Sequence, residues 1–587
     1  MPDHSYALAR ARSELVELLR KHGLEVSPDD IRDVETDIDA DMAVPLFRAA
    51  KQQGGNPQKL AESLAAALDL SDTLFCRVHP LRGYLNFSLD RPSFNRAVVA
   101  DFKRFPDRYG SSEAGTGKSI VIDYSSPNIA KPFSVGHLRS TIIGQALHNI
   151  LTWIGYHVVG DNHLGDWGTQ FGKLLCAFSH WGKEQNLEPN PTAHLLELYV
   201  RFHNEARTRP ELEQEARDWF RRLEQGDPEA RQTWQRFVKL SMTEFSRIYQ
   251  RLGVKFDETL GESVYSERLE KVVERALATG VARHEKPLEP VRTGEDEKLA
   301  DETVVLIPLE EQGIKTPLIL QKSDGTSLYA TREIACAEYR IETWHPERIL
   351  YVVGNEQELY FRQLNAAMKL LGHDTPCVHV SFGLVRLAEG RMSTREGRVV
   401  LLDDVMNEAV RRARAVVTDR EMSEDEKDKV AETVGIGAIK YADLSQSRVK
   451  EVVFDWNRML ALDGDSAPYL LYAHTRCGSI LKKAPAGAPD AEFDPAALSE
   501  PEEFTLVRDI AGFPHAVMAA ASTYEPHRIA NHLYRLAQDF SAFYNKVPVL
   551  KAETGELRSA RLFLVKSTGS VLKTGLNLLG IGLPDRM

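Results

Sequence analysis

Apolar and polar positions divide the chain into segments of different period. Ile120 to Tyr124 (IVIDY) is a short apolar run, the pattern of a strand buried on both faces. Behind it Leu138, Ile142, Ile143, Ala146, Leu147, Ile150 and Leu151 recur at helical spacing. This predicts a helix with one buried face from Gly136 to about Trp153. Further strands are expected at Tyr156 to Gly160, Arg348 to Gly354 and Cys377 to Leu387. Strands alternating with helical patterns predict an α/β sheet. Residues 1 to about 112 read as a separate small α/β domain: a helix over about 5–22, another opened by the cap pair Asn56-Pro57, then strands at Leu74 to Val78 and Gly83 to Leu89. Residues 177 to 316 read as a helical, charge-rich insertion with Trp181, Trp219 and Trp234 as core anchors. From Asp403 the pattern is helical to the end, with Ser466 as a cap before Pro468 and a Pro/Ala-rich linker at Ala484 to Ala497.

Length and composition narrow the class. A chain of 587 residues with 43% apolar and 27% charged positions is ordinary for a multidomain globular protein of roughly three to five domains. Five scattered cysteines without a CxxC pair argue against a disulfide framework and a structural zinc site. No apolar run reaches transmembrane length and the N-terminus lacks a signal peptide's apolar core, so a cytoplasmic protein without membrane attachment is expected. The net charge of −12 opposes nucleic-acid binding by bulk charge. From Ala511 onward, however, nine Lys/Arg face five Asp/Glu, so the C-terminal helices are locally cationic.

Candidate chemistry concentrates in the loops between strands and helices. The string SSPNIAKPFSVGHLRSTIIG (Ser125 to Gly144) leads from a strand into a helix that opens on Gly136-His137. Free N–H groups and partial positive charge at such an N-terminus suit a phosphate, with Lys131 and His137 flanking it. The same features suit an ordinary βα turn. DNHLGDWGTQFG (Asp161 to Gly172), which carries His163 and Gly165, reads equally as a ligand-lining loop or a tight turn. GTGKS (Gly115 to Ser119) is not a P-loop: Ser112 stands where the first glycine belongs, and the segment precedes its strand. Tyr329 and Glu333, four apart, share a face if their segment is helical. EGRMSTREGRVV (Glu389 to Val400) is a glycine-bounded loop carrying Arg391, Arg395 and Arg398.

Taken together these strings resemble the signatures of class I aminoacyl-tRNA synthetases, and more narrowly of the arginyl-tRNA synthetase family. The HIGH motif corresponds to SVGH (Ser134 to His137) and KMSKS to RMSTR (Arg391 to Arg395). SPNIAKPF, NHLGDWGTQFG, APYLLYAHTR and the closing LPDRM are similar to that family's strings. The resemblance implies a Rossmann-type catalytic domain (113–402) split by the insertion, a small α/β N-terminal domain (1–112) that contacts tRNA, and an all-α anticodon-binding domain (403–587). It implies ATP-dependent activation of L-arginine and transfer to tRNA(Arg), with Mg2+ accompanying ATP, no structural zinc, and a monomer. Lys131, His137, Arg391 and Arg395 would be catalytic. Ser134, Gly136, His137, His163, Gly165, Met392, Ser393 and Thr394 would bind ATP. Asp123, Ser126, Asn128, Tyr329, Glu333 and Gln357 would hold arginine. Tyr472, Arg476, Tyr534, Arg535, Tyr544 and Met587 would meet tRNA, in a setting that also holds His474, Phe540 and Lys546.

Three departures from the family pattern stand out. Ser134 replaces the first histidine of HIGH; in RMSTR Arg391 stands for the first lysine of KMSKS while Thr394 fills the fourth position and Arg395 retains the last lysine's charge; and Glu333 stands where the family often has aspartate. The competing expectations are a class I synthetase for another amino acid, a related nucleotidyltransferase, or an RNA-binding relative without turnover.

Overall fold

The computed structural model describes all residues except 1–5, 35–37, 183–190, 287–290, 294–296, 300–302, 324, 388–399, 417–421, 585 and 587. The chain forms two compact units, one of Gly115–Leu460 with Leu578–Gly582, the other of Met1–Ala114 with Ala461–Asn577 and Leu583–Met587.

The first unit is built on four parallel strands, β1 (Ser119–Asp123), β2 (His157–Asp161), β3 (Arg348–Tyr351) and β4 (Cys377–His379), in the order β4-β3-β1-β2. The chain leaves β1 for β2 on one side, while β3 pairs on the other. The carboxyl ends of β1 and β3 therefore form the topological switch point where such sheets take ligands. Val121, Ile122, Ile349 and Leu350 have no exposure, as strands covered on both faces require.

The helix predicted behind β1 spans Val135–Trp153, but it has no single buried face. Every residue from Leu138 to Leu147 is buried, Arg139 and Gln145 included. An apolar spacing read along one stripe missed this because the polar positions are buried too, each with a partner. Arg139 lies 2.8 Å from Asp443 of helix Glu424–Leu444 and donates to the Gly383 and Lys450 carbonyls.

The strand expected from Cys377 to Leu387 divides into β4 and a separate strand, Val385–Leu387, which runs parallel to Val452–Phe454. The break falls at Gly383, where any Cβ would overlap the Lys450 carbonyl.

The insertion is helical only in its first part: Pro191–Ala206, Glu211–Glu224, Pro228–Leu252 and Leu269–Ala278. It then forms an antiparallel sheet in which Val304–Ile307 lies between Leu318–Gln321 and Arg283–Glu285. The four-residue apolar runs VVLI and LILQ are strand signals that the charge-rich surroundings obscured. The three tryptophans are half-buried rather than core anchors: Trp234 donates to the Asp166 carbonyl, and Arg201 and Arg222 lie over Trp181 and Trp219. Phe202 and Phe237 fill the core instead.

In the second unit a four-stranded antiparallel sheet packs with the predicted capped helix. Asn56 accepts from Gln58 and Lys59 at the start of Pro57–Ala67. The C-terminal helices Ala467–Lys483, Pro501–Thr523 and His527–Lys546 join the same unit, the first capped by Ser466 as expected. Asp41 pairs with Arg508 at 3.0 Å, and Asn95 donates to the Leu498 carbonyl.

Candidate active site

The loop after β1 is held in an unusual backbone. Ser125, Ser126 and Ala130 have φ of 72°, 47° and 65°, the left-handed region that non-glycine residues avoid. Surrounding groups fix them there. The Ser125 amide donates to Ser140 Oγ at 2.9 Å, and its hydroxyl meets Tyr249 and Thr141. The Ser126 amide donates to Asn162 Oδ1 and its hydroxyl to Asp123 Oδ1 at 2.6 Å. Asn128 bridges to Gly165, and a Cβ on Gly165 would overlap Asn128 Oδ1. Gly165 is thus a close-approach glycine that positions Asn128. Strain retained by this many partners marks a functional loop.

Ser134 begins the helix. Its amide donates to His137 Nδ1 at 3.1 Å, and its hydroxyl lies at the same distance. Nδ1 accepting a backbone N–H leaves the neutral imidazole's proton on Nε2, free to donate elsewhere. Burial, with help from the Lys131 charge, lowers the His137 pKa, so the ring is neutral near pH 7. Gly136 is exposed, with only Ser134 Oγ near a would-be Cβ, so the first turn presents an open backbone. Val135 donates to the Val400 carbonyl and Leu402 to that of Phe133. The chain leaving the RMSTR segment is therefore fastened to this helix end. Arg391, Met392, Ser393, Thr394 and Arg395 themselves lie outside the described residues, as does Met587.

A buried charge cluster lies at the ends of β1 and β2. Asp123 and Asp161 are register partners, and Arg340 of helix Tyr329–Trp344 reaches both, at 2.6 and 2.7 Å. Glu333, two turns earlier on the same helix, places Oε1 3.9 Å from Arg340 Nη1, beyond hydrogen-bond range. Glu333 is 1% exposed and Arg340 0%. Glu333 Oε1, Arg340 Nη1, Asp161 Oδ1 and the Tyr351 and Tyr360 hydroxyls have no hydrogen-bond partner among the described residues. Burial raises the Glu333 pKa, against the pull of His163 and Arg340. Three carboxylates around one guanidinium leave room for a second cation, and the unpartnered Glu333 Oε1 offers it an acceptor.

Tyr329 opens the helix four residues before Glu333, as the spacing predicted, and packs 5.2 Å from Tyr360. Gln357 is half-buried in the turn after β3. His163, expected to bind ATP, is 6% exposed, with Nδ1 3.9 Å from Cys336 Sγ. Asp161 opens the string that carries His163, and Arg340 closes GTSLYATREIACAEYR (Gly325 to Arg340), the string that carries Glu333. Arg340 lies seven residues from Glu333, a spacing that would have placed it on the same face.

In the C-terminal helices, Arg476 stacks on Tyr472 at 4.7 Å and on Tyr544 at 5.2 Å, uniting three expected residues on the surface. Arg535 is paired with Asp509, Tyr534 accepts from Gln538, and Lys546 is paired with Glu502. His474 is bonded to the Gly569 carbonyl. Phe540 is fully buried and cannot stack on a base.

Residues 106–456 match the family model described as tRNA synthetases class I (R), catalytic domain. Residues 470–587 match the DALR anticodon binding domain, and residues 7–89 the arginyl tRNA synthetase N terminal domain. The chain is 43% identical to the arginine–tRNA ligase of Chloroflexus aurantiacus over 592 residues, 99% of this chain and 100% of that one. It is 41% identical to that of Clostridium perfringens over 549 residues, 93% of this chain and 94% of the relative. The Thermus thermophilus arginyl-tRNA synthetase structure superposes with a TM-score of 0.79 at 27% identity, covering 98% of this chain and 99% of that one.

Proposed function

The chain belongs to the class I arginyl-tRNA synthetase family, and from that premise we propose how its residues divide the work. It is an arginine–tRNA ligase: it activates L-arginine with ATP to arginyl-adenylate and transfers the arginyl group to the 3′-terminal ribose of tRNA(Arg). In the first step a carboxylate oxygen of arginine attacks the α-phosphorus of ATP and pyrophosphate leaves. In the second the ribose 2′-hydroxyl attacks the activated carbonyl and AMP leaves. Neither step asks for a protein nucleophile, so the protein's task is positioning and neutralising charge.

Glu333 accepts the substrate guanidinium. The observation that carries this is its buried carboxylate with one oxygen unpartnered, beside the unpartnered hydroxyls of Tyr351 and Tyr360. Asp123 contributes field rather than a free oxygen, since Arg340 and Ser126 engage it. Tyr329 and Gln357 complete the pocket, and Ser126 and Asn128 take the amino-acid end. Gly136 receives the adenine on its open backbone, while His137 donates from Nε2 to the phosphates. Lys131, Arg391 and Arg395 share the pyrophosphate charge with the Mg2+ that enters with ATP, and Met392, Ser393 and Thr394 bind ATP. Ser134 serves the ATP site as the helix cap, and Gly165 by seating Asn128.

Residues 1–112 contact tRNA, 113–402 carry the chemistry, and 403–587 bind the anticodon, with Tyr472, Arg476 and Tyr544 as its stacking group and Tyr534, Arg535 and Met587 as further tRNA contacts. The enzyme works as a cytoplasmic monomer without structural zinc; among the described residues no helix is long and apolar enough to cross a membrane. Arginine-dependent ATP–pyrophosphate exchange, with and without tRNA(Arg), tests the assignment against lysine and glutamine. Exchange with arginine and not with lysine or glutamine is expected. Exchange with another amino acid, or none at all, refutes it.

A further inference from the structure

His163 is a buried titratable side chain at the edge of this charge cluster. Its Nε2 has no partner among the described residues, and its ring packs 5.7 Å from that of Tyr265. The charges around it are mostly of one sign. Helix Tyr329–Trp344 brings Glu333 and Arg340, with the Cys336 thiol between them, and β1 and β2 bring Asp123 and Asp161. Its own segment adds Asp166, and the turn Glu262–Arg268 adds Glu262, whose partner is Arg332 at 3.0 Å. Among the described residues five carboxylates thus face two guanidinium groups, and all five carboxylates lie below 9% exposure. The Tyr265, Tyr329, Tyr351 and Tyr360 hydroxyls nearby carry no charge near neutral pH. Burial raises the pKa of Glu333, Asp166 and Glu262, and a further cation would relieve that cost.

We propose that His163 carries a proton in the arginine-free site, standing in for the substrate's guanidinium, and releases it to solvent when arginine binds. Arginine capture is then an exchange of one cation for another, and His163 sets the charge to which the pocket is tuned. This rests on Glu333 being the guanidinium acceptor. Burial alone would push the His163 pKa down, but Cys336, Glu333 and Asp123 together reverse it and hold it well above the usual value. The field of His163 in turn opposes the rise of Glu333, Asp166 and Glu262. The free site holds more protons than the complex, so arginine binds more tightly as pH rises through the range in which only the free enzyme keeps the proton. The gain approaches about tenfold per pH unit for each proton released, and ends once the free enzyme has lost that proton as well.

Calorimetric titration of the full-length enzyme with L-arginine at neutral pH, in buffers of differing ionisation enthalpy, counts the protons. Release of roughly half to one proton per arginine is expected, falling toward zero in His163→Gln. Binding heat that does not change with buffer overturns the exchange while leaving Glu333 as the acceptor. Undiminished release by His163→Gln overturns it too and places the proton on Glu333. Absence of any arginine binding removes the acceptor assignment itself, and the exchange with it. Should His163→Gln fail to fold, the wild-type arginine affinity followed from mildly acidic to mildly alkaline pH decides, and a flat profile overturns the proposal.

Discussion

Arg139 and Arg340 are the two largest fully buried side chains among the described residues, and both lie in the catalytic unit. Arg139 meets one carboxylate, Asp443, and two backbone carbonyls, so its charge is matched one to one. Arg340 meets Asp123 and Asp161 and stands 3.9 Å from Glu333, so three negative charges share one positive. The first arrangement ties the signature helix to helix Glu424–Leu444 and asks for nothing more. The second is incomplete by construction. Burial does not separate structural from functional charge; the balance of charge does.

The largest effect is expected where balance is removed. Arg139→Met leaves Asp443, whose pKa burial already raises, without its counter-ion, and should destabilise the protein by about 3–5 kcal/mol. The double variant Arg139→Met/Asp443→Asn should recover most of that loss in chemical denaturation, and failure to recover would show that the pair is not the reason.

Lys440 sharpens the comparison as a third case, an ammonium 2% exposed whose described partners are the Leu252 and Gly580 carbonyls. Burial lowers its pKa from 10.5 to about 8. The folded state therefore holds fewer protons than the unfolded state between those values, and stability should rise with pH across the window. Relative to Lys440→Met, the wild type should gain about 3 kcal/mol between neutral pH and pH ~10.5, read from urea midpoints. A pH-independent difference would contradict the buried charge.

Glu333→Gln removes the unmatched charge instead of the matched one. It should lower kcat/KM for arginine in pyrophosphate exchange roughly a hundredfold, about 2.7 kcal/mol, with no loss of melting temperature. A large fall in stability would make Glu333 a structural partner like Asp443. The smallest effect is expected at the helix cap. Ser134→Ala should cost about 1 kcal/mol of stability, with only a modest loss of exchange activity as His137 loses one contact.

Much of the fold was legible from local patterns. β1 and β2 fall within a residue of the expected strands, β3 starts where expected and ends three residues early, and Asn56 and Ser466 cap the helices their sequence announced. Local signals reach only that far. VVLI and LILQ pair with each other, and VVLI gains a second partner in Arg283–Glu285, some twenty residues earlier, while the Cys377–Leu387 run broke where Gly383 must admit the Lys450 carbonyl. The candidate site was legible in its motif strings, while Asp161 and Arg340, at the edges of those strings, were not recognised as its electrostatic centre.

The sequence by itself determined the family, the order of strands and helices around the switch point, and the residue types offered to ATP and arginine. Periodicity, caps and motif strings are encoded within a few neighbouring positions, and so survive without any knowledge of packing. The tertiary structure alone decided which charges are matched. Whether Arg340 is a counter-ion, Glu333 an open acceptor and His163 a proton carrier depends on side chains from β1, β2, the insertion and helix Tyr329–Trp344 meeting away from water. Electrostatic energy is set by such distances and desolvation, and neither is written in the spacing of the residues along the chain.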